Sequence, residues 1–281
     1  LKTLLAAFDG RLIVASRPFA VISQELNNQV EFLHLKSYSK EAQEKYFGES
    51  YERASDLCAS CPDLMAVPML AYMVRTVIED EGDEVIKNRA DLYKRFADYV
   101  ITEYEHDELQ SDEDTETGVR LALGEISYEA LAAKNPHIQT IPLSVCHRHA
   151  VTHSTSIVEI LKHGLAGLIA DRTTGMDKLL YFSHQSFQDF MAAEWAARSE
   201  RRIRHIISEM WHPKWKEVIK FLAGLSGEQF VERIYPEACE DNLIHSRLFL
   251  AAECCREVGG ETPLEERLLL ALAELVHVSV V

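Results

Sequence analysis

The sequence predicts a mainly α-helical chain that opens with one strand of an α/β sheet, carries a single β-hairpin in a winged-helix arrangement, and ends in a solenoid-like helical region. Three features predict this class. Apolar residues recur near the 3.6-residue period from Ser39 onward. A short β-branched run stands alone at Arg11-Leu12-Ile13-Val14-Ala15. Two strand-like runs, 167–172 and 178–183, are separated by a stretch of hairpin length and turn composition.

With 281 residues, 47% of them hydrophobic, the chain can bury a substantial core and is expected to hold two or three subdomains. It has no run of eighteen uncharged apolar residues, and Leu1-Lys2-Thr3-Leu4-Leu5 lacks the design of a secretory signal, so a cytoplasmic address is expected and no membrane partner. The first residue is not methionine, and the opening residues read as a helix end feeding a strand, which is what a fragment would look like. The 29 basic and 45 acidic residues give a net charge of -16, which opposes binding to phosphate backbones and makes nucleic acid a disfavoured partner. The basic group Arg198, Arg201, Arg202 and Arg204 reads as a solvated helix face.

Residues 1–8 end at the turn signal Asp9-Gly10, and the strand Arg11–Ala15 is stopped by Ser16-Arg17-Pro18. This sets Arg17 at the carboxyl edge of a sheet, where ligands of open α/β sheets bind. From Ser39, a cap, a helix is expected through Ala42, Tyr46, Phe47, Tyr51, Ala54 and Leu57, with Glu41 and Glu44 suiting its first turn. A second helix is expected over Met65–Ile78, with Pro68 in its first turn, where a missing N–H costs little. After the break Glu79–Asp83, Asn88 with Asp91 resembles a capping arrangement for a helix whose inner face is Leu92, Phe96, Tyr99 and Val100. Between Glu103 and Glu116 stand eight acidic residues and no basic ones, a segment expected to be a solvated loop at a subdomain boundary.

Short helices are expected at Ser127–Lys134 and about Ser156–His163. The hairpin Gly167–Arg172 and Lys178–Ser183 follows, its loop running Thr173-Thr174-Gly175-Met176-Asp177. Helices followed by one hairpin make a winged helix. Beyond a helix at Phe187–Ala197, the chain from Ile203 reads as amphipathic helix, with Trp211, Trp215, Val218, Phe221 and Leu222 as large core residues. Leu243–Val258 and Pro263–Val276 read as antiparallel helices broken by Gly259-Gly260, a pairing that suggests the start of an α-solenoid.

The six cysteines are too scattered for a disulfide framework and read as reduced thiols, and Cys58-Ala59-Ser60-Cys61 lacks a second ligand pair, so these two read as buried structural thiols. His147, His149 and His153 beside Cys146 have the residue types for a metal but no recognised ligand spacing, and read as exposed or network histidines. No Gly-x-Ser-x-Gly elbow or comparable nucleophile setting is present.

One segment is more specific. Tyr181-Phe182-Ser183-His184-Gln185-Ser186-Phe187-Gln188-Asp189-Phe190-Met191-Ala192-Ala193 closely resembles the strand-to-helix signature that ends the winged-helix subdomain of NACHT-family signalling NTPases, and it follows the predicted hairpin directly. In the same order, Arg11–Pro18 resembles that family's sensor strand, and Cys61-Pro62-Asp63-Leu64-Met65-Ala66-Val67-Pro68-Met69-Leu70 resembles its helical-lid segment. Ala66 stands where some relatives have glycine. The resemblance covers about residues 5–197 and implies four parts: the end of a P-loop α/β nucleotide-binding domain at 1–36, a helical lid at 37–108, a winged helix at 109–197, and a C-terminal helical domain with possible HEAT-like repeats at 198–281.

It further implies that Arg17 faces the outer phosphate of ATP or ADP, that Pro68 packs near base and sugar, and that His184 reaches a bound diphosphate and latches a closed state. No Gly-x-x-x-x-Gly-Lys-Ser/Thr loop and no acidic strand terminus precedes the sensor, so hydrolysis, with magnesium, is expected of the full-length protein and not of this stretch alone. The resemblance implies a switch in immune-like or antiviral signalling, with self-oligomerisation on activation, a protein trigger read by the C-terminal helices, and an upstream effector domain. The alternatives are a helical protein-binding scaffold that uses no nucleotide, or a winged-helix DNA-binding regulator. The regulator is disfavoured by a wing that offers Arg172 and Lys178 against Asp171 and Asp177.

Overall fold

The computed structural model of the protein describes residues 36–81, 83–103, 113–134, 140–153, 169–174, 177–235, 241, 245–259 and 263–278. The expected strand at 11–15, Arg17, and the expected helix at 156–163 lie outside the described residues. The described residues are mainly helical, with one small antiparallel sheet.

Ser39 caps α1 (Lys40–Phe47), its Oγ accepting from the Ala42 N–H at 3.3 Å. The helix expected to run on to Leu57 is interrupted at Gly48, whose φ of 58° lies in the left-handed region that favours glycine. A 3₁₀ turn and α2 (Tyr51–Leu57) follow. After the short α3 (Asp63–Ala66), Val67 is extended, as the residue before a proline prefers, so α4 (Pro68–Glu81) starts at Pro68 and not at Met65. It continues through Glu79 and Asp80, residues expected to form a break.

Asn88 opens α5 (Arg89–Glu103): its Oδ1 accepts from the Asp91 N–H at 2.9 Å while Asp91 Oδ2 accepts from the Lys87 N–H at 3.0 Å. Leu92, Phe96 and Val100 are buried, and Tyr99 packs half-buried against them. The acidic segment is not all loop. Glu103 ends α5, and α6 (Glu113–Ala132) begins inside the run at Glu113. The short helix expected from Ser127 is therefore the last part of a 20-residue helix.

Two further elements escape the sequence reading: β1 (Thr140–Pro142) and α7 (Leu143–Thr152). The hairpin is present as β2 (Ile169–Thr174) and β3 (Asp177–Phe182), with Ile169 opposite Phe182 and Thr174 opposite Asp177, so its loop is shorter than the composition implied. β1 pairs with the far side of β3, which gives the strand order β1-β3-β2. The remaining helices are α8 (Gln185–Ala197), α9 (Glu200–Ser208), α10 (Lys216–Ser226), α11 (Glu228–Ile234), α12 (Ser246–Val258) and α13 (Pro263–Val278). No helix among the described residues is long and apolar enough to cross a membrane.

α8 is the central helix, packed against α6 and α10. Its approach to α6 depends on Gly124, where a Cβ would stand 3.0 Å from Trp195 Cβ and 3.3 Å from the Met191 carbonyl. α5, α10 and α12 meet as closely. Asn88 Nδ2 donates to the carbonyls of Gly224 at 3.1 Å and Val258 at 3.3 Å, and a Cβ on Gly224 would lie 2.8 Å from Ala90 Cβ and 3.1 Å from the Glu257 carbonyl. Gly224→Ala therefore forces these three helices apart and is expected to cost about 1–3 kcal/mol. Chemical denaturation checks this, and an unchanged midpoint would show that the junction gives way at no cost.

One expected core residue is misplaced. Trp215, Val218, Phe221 and Leu222 are fully buried, but Trp211 is 50% exposed, because α9 has already ended and the chain is turning when it reaches that residue.

Candidate functional site

The segment 181–193 folds as a strand end, a two-residue bend and a helix. β3 ends at Phe182, fully buried, and α8 begins at Gln185 with His184 as its N-cap in extended conformation. An imidazole can cap because its unprotonated nitrogen is an acceptor: His184 Nδ1 takes the Ser186 backbone N–H at 3.2 Å and lies 2.6 Å from Ser186 Oγ. His184 itself is exposed.

Much of the remaining segment serves packing. Phe187, Phe190, Met191, Ala192 and Ala193 are buried, and so are Gln188 and Asp189. The rings of Phe187 and Phe190 lie 5.3 and 5.7 Å from Tyr93 on α5, Phe187 stacks on Phe96 at 5.8 Å, and Phe96 meets Tyr72 of α4 edge-on at 6.0 Å. An aromatic seam thus joins α4, α5 and α8. It carries one polar link: the Tyr93 hydroxyl lies 2.6 Å from Ser186 Oγ, the same atom that touches His184. Burial pushes the Tyr93 phenol up to about 12, so it remains a donor. A second fastening lies deeper in α8, where Arg120 of α6 makes a bidentate pair with Glu194 at 2.8 Å and also pairs with Asp98 of α5.

Pro68 is the first residue of α4 and is exposed, between Val67 at 40% and Tyr72 at 53% exposure. Arg17 lies outside the described residues. The seam therefore connects the helix that Pro68 opens to the helix that His184 caps, through Tyr72, Phe96 and Phe187. Two clefts, one lined by Glu84, Lys87, Lys94 and Arg95 and the other by Glu129, Ala132, Arg201 and His205, include neither residue.

The other groups singled out in the sequence take structural places. Glu125 Oε2 contacts both His149 Nδ1 at 3.3 Å and His153 Nε2 at 2.8 Å, which makes these network histidines, while His147 is exposed. Burial pushes the Cys58 thiol up to about 12, and Cys61 Sγ donates to the Ile86 carbonyl at 3.3 Å. Among the basic residues of the α9 region, Arg202 departs from the solvated reading: its guanidinium lies over the Trp195 ring at 3.9 Å and donates to the Trp195 carbonyl. The residue missed by the sequence reading is Tyr93. Its only sequence signal was its place beside Leu92 in a helix with a buried face.

Comparisons with protein-family models and with curated proteins find no match for this chain.

Proposed function

We propose that this chain is the regulatory portion of a NACHT-type signalling NTPase, in which a lid, a winged helix and a helical C-terminal region form an ADP/ATP-controlled oligomerisation switch. The observation that carries this reading is the construction of His184: an exposed imidazole at a strand-to-helix junction, held through Ser186 by a tyrosine from another helix. The order α6, β1, α7, β2, β3, with β1 paired beyond β3, supports the winged-helix assignment of this region.

The described residues fit a nucleotide in two respects. His184 is exposed and can meet a phosphate oxygen, and Pro68, flanked by exposed Val67 and Tyr72, offers an apolar surface suited to a base and sugar. Arg17 is assigned to the outer phosphate by its place after the strand-like run 11–15. A contact made only with the diphosphate-bound closed form shifts the equilibrium toward that form by its differential affinity. Activation would then exchange the nucleotide, release the histidine and allow self-assembly, with an upstream effector as output and a protein trigger acting on the C-terminal helices.

The test is calorimetric titration with ADP of the protein carrying its natural upstream sequence. Loss of a hydrogen bond to a charged group predicts about 10- to 100-fold weaker binding for His184→Ala, with more oligomer by light scattering. Unchanged affinity with an unchanged oligomeric state overturns the reading. Phe249, Leu269 and Leu270, all more than half exposed on α12 and α13, favour a second reading as a protein-binding scaffold. That reading predicts no nucleotide binding by either protein.

A further inference from the structure

We propose that the outward face of α13 is a docking surface for a basic amphipathic helix of a partner protein, whose apolar stripe covers Leu269 and Leu270 and whose lysines or arginines meet Glu266 and Glu274. This names the chemistry of the protein partner expected on the C-terminal helices, and it rests on that expectation and not on the nucleotide.

α13 carries leucine or alanine at 264, 268–273 and 275, more apolar residues than one buried face can use. Leu264 and Leu268 are 3% and 1% exposed, and Ala271, Leu272 and Leu275 pack half-buried on the same core. These positions recur at the helical period and form the side that meets α12. Leu269 and Leu270 are 59% and 62% exposed, and Glu266, Ala273 and Glu274 are exposed with them. The spacing 266, 269, 270, 273, 274 is that of one continuous helix face. Adjacent leucines on such a face are what a helix ordinarily buries, so α13 has a second side suited to a neighbour.

The face is held rigidly. Glu228 Oε1 of α11 accepts the Leu264 N–H at 2.7 Å, which fixes the start of α13, and Arg267 Nη2 donates to the Tyr235 carbonyl at 3.0 Å. The second bond also decides the charge of the face. Arg267 is the only lysine or arginine of α13 and is drawn toward the end of α11, while carboxylates stand outward at both ends of the leucine pair. A preformed surface needs little ordering when a partner binds.

The charge pattern selects the occupant. Packing α13 on α13 of a second copy sets Glu266 near Glu274 when the helices are antiparallel and like residue against like when they are parallel. Carboxylates meet carboxylates in either orientation, which opposes self-docking. An anionic lipid surface is repelled by the same groups and by the net charge of -16. A helix with an apolar stripe edged by lysine or arginine buries the leucines and pairs the carboxylates at the rim, where charge sets partner choice and encounter rate.

The experiment is fluorescence anisotropy of a labelled model peptide of leucine and lysine, about five turns long, with leucines on one helical face and lysines at its edges, titrated with the whole chain. A companion peptide has glutamate in place of every lysine. The wild type is expected to bind the lysine peptide saturably and to reject the glutamate peptide. Leu269→Ala with Leu270→Ala, which puts a better helix former at two exposed positions, is expected to weaken binding about tenfold or more. Glu266→Lys with Glu274→Lys is expected to weaken binding of the lysine peptide about threefold to tenfold and to admit the glutamate peptide. Circular dichroism shows whether each variant keeps its helix content.

Lysine-peptide binding that survives the alanine pair is general attraction to an acidic chain and overturns the proposal. Binding lost with the alanine pair but indifferent to charge reversal overturns the basic character of the partner. A wild-type dimer in sedimentation equilibrium that the alanine pair dissolves assigns the face to a second copy and overturns the proposal too, as does binding to phosphatidylserine vesicles in preference to the peptide. No arm contains nucleotide, so failure here leaves the ADP titration to decide the nucleotide reading by itself.

Discussion

Arg89→Ala is expected to lower the unfolding free energy by about 2–4 kcal/mol, toward the lower part of the range for breaking a buried ion pair because the site is not fully buried. Arg89 is the first residue of α5, with a side chain 20% exposed, and it bridges Glu217 of α10 at 3.0 Å and Glu257 of α12 at 3.1 Å while its guanidinium lies over the Phe221 ring at 4.3 Å. Burial alone would lower the Arg89 pKa, but Glu257 and Glu217 outweigh it and hold the guanidinium above its ordinary value. Removing the guanidinium leaves two acidic side chains facing the same gap, with Lys220 paired to Glu217.

The pH dependence has a definite sign. Burial raises the Glu217 carboxyl, but Lys220 and Arg89 together carry it below its ordinary value, so its contribution is present above the carboxylate range and is lost as pH falls through the lowered value. Glu257, raised chiefly by its burial, behaves in the opposite way: its contribution is full below the ordinary value and declines as pH rises through the raised one. In the wild type the two oppose each other. In Arg89→Ala both lose a counter-charge and both shift upward, so the deficit relative to wild type should shrink on acidification toward the carboxylate range. Urea denaturation at neutral and mildly acidic pH measures this, and a deficit that stays constant would attribute the loss to packing over Phe221. Replacing both partners, as in Arg89→Met with Glu257→Met, is expected to recover part of the stability, because no charge is then left unpaired.

The contrast between what the sequence disclosed and what it concealed has a physical basis. Caps and stops are local, so Ser39, Asn88 with Asp91, Pro68 and the glycine after Val258 could be read from neighbours a few residues away. The hairpin was legible for the same reason. The acidic run misled because mutual repulsion between its carboxylates argues for a solvated loop, whereas α6 begins inside it at Glu113. β1 has only three residues, too few to show an alternation, and its place is set by β3, about forty residues later. At the candidate site, the place of His184 between a strand and a helix was legible because the three are contiguous in sequence. Tyr93 could not, since its hydroxyl acquires a role only when α5 and α8 come together.

Trp215→Ala is expected to cost about 3–5 kcal/mol, the range for deleting a large aromatic side chain from a core, and to lower the melting temperature by about 2–4 °C for each kcal/mol. The indole is fully buried and meets the Tyr128 ring of α6 at 5.5 Å and the His205 ring of α9 edge-on at 5.8 Å, while the Tyr128 hydroxyl and His205 Nδ1 are 2.8 Å apart. Its loss would open a cavity where α6, α9 and the start of α10 converge. Trp211→Ala provides the control. A spacing of four residues would place both tryptophans on one face of a continuous helix, but α9 ends at Ser208, the chain turns, and a 3₁₀ turn at Pro213–Trp215, capped by His212 Nδ1 accepting from the Lys214 N–H, redirects only Trp215 inward. Trp211→Ala should therefore stay within about 0.5 kcal/mol of wild type. Equal losses at the two positions in thermal and chemical denaturation would mean that this turn is absent in solution and that the continuous helix read from the sequence is the true one.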